Sequence, residues 1–564
     1  MDGRTDARMA PETGAEDILV GLKDAGVRWI FANAGTDFPP IIEGMVRLPA
    51  QQIPEPVTVP FESVAMGMAH GVWLATGEPQ AVMVHVNVGL ANCAMGAINA
   101  TADDVPIVLM SGRTPLTETH REGHRASPVQ YGQEMFDQAA LVRESVKWEY
   151  ELRYPEQGAA LVRRAVATAK AAPAGPVYLS LPKEPLSERI PADRPAPRPQ
   201  PALVPAGPDP EAVEVIAEWL SRAEAPVILV NRGDPAGRLG PALSGFCGEH
   251  GIAVAEPFVV RNVLATDDPS LIGYDPAAAL EGADLILALD CDVPWIEAMA
   301  SPGQGARVIH AGPDPLFGKR AVRDYRTDLA VVSDPILLIH ALDRAMPEAG
   351  ERAAARKARI AARPEWRRDP PEAADGPMAP GVLARAVSDV MDDDAVAVSE
   401  LGLLPGAMRL KGQNRLFQNS HAGGLGWAMP TALGAQLARP GKLTIAAMGD
   451  GSYMFANPVA CHQVAEALGL PILTIVKNNA MWNAVRRGVI SSYPGGAASG
   501  ANRMPLVHLD PLPDFAAVAR ASRAHAERVE TAAELRPALD RAVAATREGR
   551  QALLDVVVAV SDAF

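Results

Sequence analysis

The sequence predicts an α/β protein made of three doubly wound parallel-sheet domains in series. Three observations carry that expectation. Short runs rich in β-branched residues alternate along the chain with longer amphipathic patterns, a rhythm that puts helices on both faces of parallel sheets. Two proline-rich stretches interrupt the rhythm, because proline removes a backbone donor and fixes φ. The chain's 564 residues also exceed what one hydrophobic core can organise, since domains usually span about 100–200 residues.

The first interruption, Arg189–Pro210, reads RIPADRPAPRPQPALVPAGPDP, and the second lies within Ala353–Pro380 and contains PEWRRDPPEAADGPMAP. They leave domains at 1–188, 207–347 and 378–564, joined by linkers at 189–206 and 348–377. Candidate strands are Ala81–Val86, Ile107–Met110 and Val177–Leu181 in the first domain. Val227–Val230 and Leu285–Leu289 follow in the second, and Leu443–Ala447 and Ile472–Val476 in the third.

Composition excludes several classes of function. A net charge of −15 argues against nucleic acid or an anionic membrane as partner. Cys93, Cys247, Cys291 and Cys461 show neither a CxxC pair nor zinc-finger spacing, and read as buried reduced thiols. The N-terminus, MDGRTDARMAPETGAED, lacks the apolar core of a signal peptide, and no apolar run reaches the roughly 18 residues of a membrane span. A cytoplasmic location is expected.

The strongest local signal runs from Ile445 through Gly449-Asp450-Gly451-Ser452, where a strand ends on a glycine-flanked aspartate. A helical run to Leu468, a second strand and Lys477-Asn478-Asn479-Ala480 follow. Ligands of open α/β sheets bind at the carboxyl ends of strands, where both loops fall. Glycines beside Asp450 let backbone N–H groups approach an oxyanion closely. Asp450 and Asn479 are hard oxygen ligands that suit Mg²⁺, an ion that shares its shell with phosphate oxygens and water. A plain turn would look the same were it not for the Asn-Asn pair.

With that pair, the stretch resembles the GDG…NN motif of thiamine-diphosphate-dependent enzymes. The second asparagine stands slightly later than in relatives, and an insertion near Ala456–Cys461 accounts for it, because Leu470-Pro471 is displaced equally. The resemblance implies Mg²⁺ on Asp450, Asn479 and the Met481 carbonyl, with diphosphate contacts from Gly449, Gly451, Ser452 and Asn479. It also assigns the turn Ser399-Glu400-Leu401-Gly402-Leu403 to the diphosphate, through Gly402 and Leu403.

Val59-Pro-Phe-Glu62 opens an amphipathic helix. By itself Glu62 is a favourable first-turn acid. In the family a glutamate in this setting hydrogen-bonds N1′ of the cofactor's aminopyrimidine, which lets the 4′-imino form take the proton from C2. His421-Ala-Gly-Gly-Leu-Gly-Trp-Ala-Met-Pro430 resembles the AGGLGFALP-type segment of benzoylformate decarboxylases. That likeness makes Leu425 the wedge that bends the cofactor, places the Gly423 carbonyl and the Leu425 N–H on the aminopyrimidine, and counts Gly424 among the cofactor-binding residues. The resemblance spans nearly the whole chain, in the order pyrimidine-binding, central and diphosphate-binding domains.

The reaction is read from residues expected to face C2. His85 in Val84-His-Val-Asn-Val-Gly-Leu-Ala-Asn-Cys-Ala-Met-Gly96 stands where benzoylformate decarboxylases have an active-site histidine. Gly89, Asn92, Met95 and Gly96 match the flanking pattern. An imidazole titrates near neutral pH and can exchange protons there. Thr36, in Asn33-Ala-Gly-Thr36, keeps a hydroxyl where those enzymes use a serine on the substrate carboxylate, although Ala34 replaces their proline. Gln133, ahead of Lys147-Trp148, instead resembles the glutamine of acetolactate synthases and benzaldehyde lyase. Trp295 is either a pocket wall or core. The loop Thr117–Arg125 is either solvated charge or a basic recruiter of anionic substrates.

The expected activity is non-oxidative decarboxylation or carboligation of a 2-oxo acid, with an aldehyde as potential acceptor. The expected cofactors are thiamine diphosphate and Mg²⁺. A homodimer or homotetramer follows by resemblance, since relatives assemble each site between subunits. One rival is an acetolactate-synthase-like carboligase, in which the central domain could carry FAD, although no residue pattern here supports a flavin. A benzaldehyde-lyase-like enzyme cleaving 2-hydroxy ketones or acyl-CoA adducts is another, and a catalytically silent paralogue a third.

Overall fold

In the computed structural model, which describes residues 8–195, 198–367 and 376–561, the β-branched runs form three sheets in which every paired strand is parallel. Parts of both linker stretches, at 196–197 and 368–375, and the N-terminal residues 1–7 lie outside the described residues.

The first sheet holds β1 (Trp29–Asn33), β2 (Glu55–Thr58), β3 (Gln80–Val84), β4 (Ile107–Arg113), β5 (Glu149–Glu151) and β6 (Val177–Pro182), in the order β2-β1-β3-β4-β6-β5. The second holds β7 (Pro226–Leu229), β8 (Ala253–Ala255), β9 (Leu285–Leu289), β10 (Arg307–Gly312) and β11 (Leu329–Val332), in the order β11-β10-β9-β7-β8. The third holds β12 (Val396–Glu400), β13 (Leu416–Gln418), β14 (Thr444–Gly449), β15 (Leu473–Asn478), β16 (His525–Val529) and β17 (Ala552–Val557), in the order β13-β12-β14-β15-β17-β16.

Each sheet starts inside and steps outward in both directions, so each has a crevice at the carboxyl ends where the winding reverses. Central strands such as β3 and β9 are buried along their whole length, as a sheet covered on both faces requires. The predicted architecture is therefore present.

Boundaries moved for identifiable reasons. β3 stops at Val84 rather than Val86, because Val86 adopts a φ of +31° and begins the helix Val86–Ala102. The helical run expected to continue to Leu468 is broken: one helix ends at Phe455, Asn457 takes a φ of +51°, and Pro458 opens the next. The break falls inside Ala456–Cys461, the stretch read as an insertion. The stretch 348–377, read as linker, contains the helix Glu351–Ala361. Its buried Arg356 donates to the carbonyls of Leu220, Ala223 and His250, which binds the helix to the second sheet's covering helices.

The chain divides into two compact units. One gathers residues up to Leu203 with Ser420–Pro440 and Ala456–Leu470; the other holds Val204–Asn419, Gly441–Phe455 and the residues from Pro471 onward. Within the first unit, helix Ala428–Ala438 packs backbone to backbone on helix Glu62–Thr76. A Cβ on Gly71 would lie 1.9 Å from the Thr431 carbonyl oxygen, so only glycine permits the approach. Among the described residues no helix is long and apolar enough to cross a membrane.

Candidate active site

In the first unit, the segments after β1, β2, β3 and β4 bring Asp37, Glu62, His85 and Gln133 together. Glu62 is the first residue of its helix and only 7% exposed. One carboxylate oxygen accepts from the Asn33 amide at 2.9 Å and the other from Asn92 at 3.0 Å. Two neutral donors thus orient the carboxylate without cancelling its charge.

His85 caps the next helix from the end of β3. Its Nε2 lies 3.1 Å from the Gln133 amide nitrogen, so the structure joins two residues whose family parallels point to different reactions. Its Nδ1 lies 2.5 Å from Asp37 Oδ1, and Asp37 Oδ2 accepts the Val86 N–H at 3.1 Å. The hydrogen bond to buried Asp37 pushes the His85 pKa up, although burial opposes the shift, and Coulomb attraction from Asp37 and then Glu62 adds to it.

Glycines make the room. A Cβ on Gly35 would stand 2.1 Å from His85 Nδ1, and one on Gly112 would stand 1.7 Å from Asp37 Oδ2. Asp37 was missed by the sequence reading, although it directly follows Thr36. Thr36 itself is exposed, and its hydroxyl makes no hydrogen bond among the described residues.

Gln133 is held from behind. Neighbouring Glu134 accepts from Arg113 at 2.9 Å, from Arg125 at 2.5 Å and from the Thr114 hydroxyl. These partners keep its carboxyl below the usual range despite partial burial. Arg121 pairs with Glu188, and Thr117 donates to Glu184, so both arginines of the Thr117–Arg125 loop are ion-paired rather than displayed for an anion. Trp295 is fully buried in the second sheet's apolar cluster and is core.

The turn at 421–427 belongs to the same unit. Gly423 has a φ of +69°, and Asn99 brackets Gly424, donating to its carbonyl at 2.9 Å and accepting its N–H at 3.1 Å. Leu425 lines a small cleft with Ser63, Met66, Met95, Asn99 and Trp427.

In the second unit, the loops after β14 and β15 meet. Asp450 is 3% exposed; its oxygens accept the N–H groups of Gly451 at 2.8 Å and Asn479 at 3.1 Å. Burial pushes its carboxyl pKa up, and the amides of Gly451, Asn479, Ala480 and Met481 oppose that. Asn479 Oδ1 lies on the Met481 N–H at 3.3 Å. A buried carboxylate with no side-chain cation paired to it among the described residues, on a loop that meets the one carrying the Asn479 amide oxygen, suits a small hard cation; the Met481 carbonyl accepts the Asn483 N–H at 2.9 Å. These residues fit Mg²⁺.

Gly451 packs against Trp482, whose ring a Cβ there would meet at 2.1 Å, and Ser452 is buried beside it. Gly402 lies flat on β14, where a Cβ would approach Ala447 to 2.4 Å. The Leu403 N–H, expected on a diphosphate, instead donates to Ser399 Oγ at 3.0 Å and is committed to that turn. Lys477, which the sequence reading used only as a motif neighbour, donates from Nζ to the Leu401 carbonyl. Burial, with Arg487 nearby, lowers its pKa to about 8.

Three family models match the chain in sequence order. Residues 12–141 match the N-terminal thiamine pyrophosphate (TPP) binding domain of thiamine pyrophosphate enzymes, 213–342 their central domain and 402–556 their C-terminal TPP binding domain. A benzoylformate decarboxylase of Pseudomonas aeruginosa is 28% identical, over 93% of this chain and 96% of its own. An acetolactate synthase large subunit of Parasynechococcus marenigrum is 25% identical, over 91% of this chain and 82% of its own. In structure, the chain superposes on benzoylformate decarboxylase from Polynucleobacter necessarius with a TM-score of 0.80 at 20% identity, covering 98% and 99% of the two chains.

Proposed function

Because the chain belongs to the thiamine pyrophosphate enzymes, we propose that it is a thiamine-diphosphate- and Mg²⁺-dependent decarboxylase or carboligase acting on 2-oxo acids, similar to benzoylformate decarboxylase. The observation that carries this reading is the contact of His85 with both Asp37 and Gln133, in the same unit as the bracketed carboxylate of Glu62.

When bound, thiamine diphosphate supplies a nucleophilic carbon and a sink for the electron pair that departing CO₂ leaves behind. The protein's own groups do the rest. Glu62, held by Asn33 and Asn92, would hold a proton against the aminopyrimidine N1′. His85, kept basic by Asp37, gives and takes protons at the substrate oxygen and carbon. Gln133 donates to oxygen and fixes the imidazole plane. Thr36, unengaged on its loop, is available to the substrate carboxylate. Asp450, Asn479 and the Met481 carbonyl hold Mg²⁺, and Gly449, Gly451 and Gly402 admit the diphosphate. A homodimer or homotetramer belongs to the proposal, and exposed Tyr131 and Phe136 beside Gln133 support cover by another chain.

Gln133 specifically favours a second reading, a carboligase in which the enzyme delivers its acyl unit to an aldehyde or second 2-oxo acid. One assay tests both: the protein is dialysed against chelator, reconstituted, and followed for CO₂ release from aliphatic, aromatic and acidic 2-oxo acids, with and without an aldehyde. CO₂ release with aldehyde product supports the decarboxylase, and CO₂ release with hydroxy-ketone product the carboligase. Cleavage of 2-hydroxy ketones or acyl-CoA adducts without turnover of any 2-oxo acid would overturn both.

A further inference from the structure

We propose that Lys477 is a cationic ligand of the cofactor's diphosphate, a contact supplied by the strand in addition to Mg²⁺. The proposal rests on the reading of Asp450–Asn479 as the diphosphate site.

Lys477 pairs in register with Gly449, its neighbour across β14 and β15. Register partners in a parallel sheet present their side chains on the same face, and Gly449 has none to obstruct. The lysine stem therefore crosses the end of β14 and sets its ammonium on the carbonyl of Leu401, just beyond β12. That carbonyl precedes Gly402, and Gly449 precedes Asp450. The charge thus stands over the crevice bounded by the two turns that would receive the phosphates.

Leu401 takes one of three ammonium N–H donors, and no other acceptor among the described residues bonds to it, so donors remain for phosphate oxygens. Electrostatics ask for such a group. A diphosphate brings more negative charge than one Mg²⁺ ion cancels, and Asp450 adds another beside it. Arg487 and Asp450 both act on Lys477 through space, so the ammonium sits within the electrostatic field of this loop pair.

The test is calorimetric titration of the cofactor-free full chain, in Mg²⁺, with thiamine diphosphate, thiamine monophosphate and thiamine. Lys477→Met keeps the length of the side chain and removes the charge. It is expected to weaken diphosphate binding about 10- to 100-fold, leave thiamine binding unchanged and reduce the salt dependence of the diphosphate Kd. Lys477→Arg is expected to recover most of the loss. Equal diphosphate affinity in Lys477→Met and wild type would overturn the proposal, as would equal weakening of diphosphate and thiamine. Failure of wild type itself to bind thiamine diphosphate would instead overturn the underlying site assignment.

Discussion

Asp37 Oδ1 and His85 Nδ1 lie 2.5 Å apart, and the opposite ring nitrogen faces Gln133. The carboxylate is therefore what makes this imidazole a stronger base than a free one. In Asp37→Asn, the His85 pKa falls and the His85 inflection in the kcat pH profile moves to lower pH, with a loss of about 10²-fold or more in kcat. The pair also links to stability. It contributes fully below the ordinary histidine value of 6.5 and is lost as pH rises through the raised folded value. Urea midpoints of wild type and variant should converge at high pH.

Glu62→Gln keeps the side-chain shape and one of the two oxygen acceptors while removing the acid. Turnover should drop about 10²- to 10⁴-fold with cofactor affinity changed little by calorimetry. Unchanged cofactor-dependent turnover would remove Glu62 from the mechanism, whereas absence of turnover in the wild type as well would favour the silent paralogue.

Glu134 sets Gln133 through Arg113 and Arg125. Glu134→Ala should cost about 10-fold or more in kcat through misplacement of the neighbouring amide. A Tm change with unaltered kcat would reduce the cluster to a structural brace.

Glu256 is fully buried, its Oε1 accepting the N–H groups of Val263 and Leu264, and burial pushes its pKa up to about 8. A carboxyl raised in the folded state binds a proton that the unfolded chain has released. Stability should therefore fall as pH rises from 4.5 to about 8, by at most ~1.4 kcal/mol per pH unit. Glu256→Gln should flatten that slope in denaturant titrations at several pH values.

The fold was readable because its evidence is local: strands such as Leu285–Leu289 advertise burial on both faces. The Asp450 and Asn479 loops were readable because each follows such a strand. Asp37 was hidden by distance, since its partner is at 85 and nothing around 37 announces it. The helix Glu351–Ala361 was hidden by its neighbours, as prolines on its flank suggested a linker while Arg356 made its anchoring bonds to residues far away in sequence. The partner of the Leu403 N–H was hidden for a different reason: a backbone amide's partner depends on the turn, and here it is Ser399 Oγ.

Asn99 holds Gly424 by its main chain alone, accepting the N–H and donating to the carbonyl. That grip leaves no room for a side chain at 424 itself, where a Cβ would stand 2.6 Å from Asn99 Oδ1. A methyl group there would displace Asn99 and break both bonds at once, so the course of this turn is set from the helix Val86–Ala102 through a single side chain.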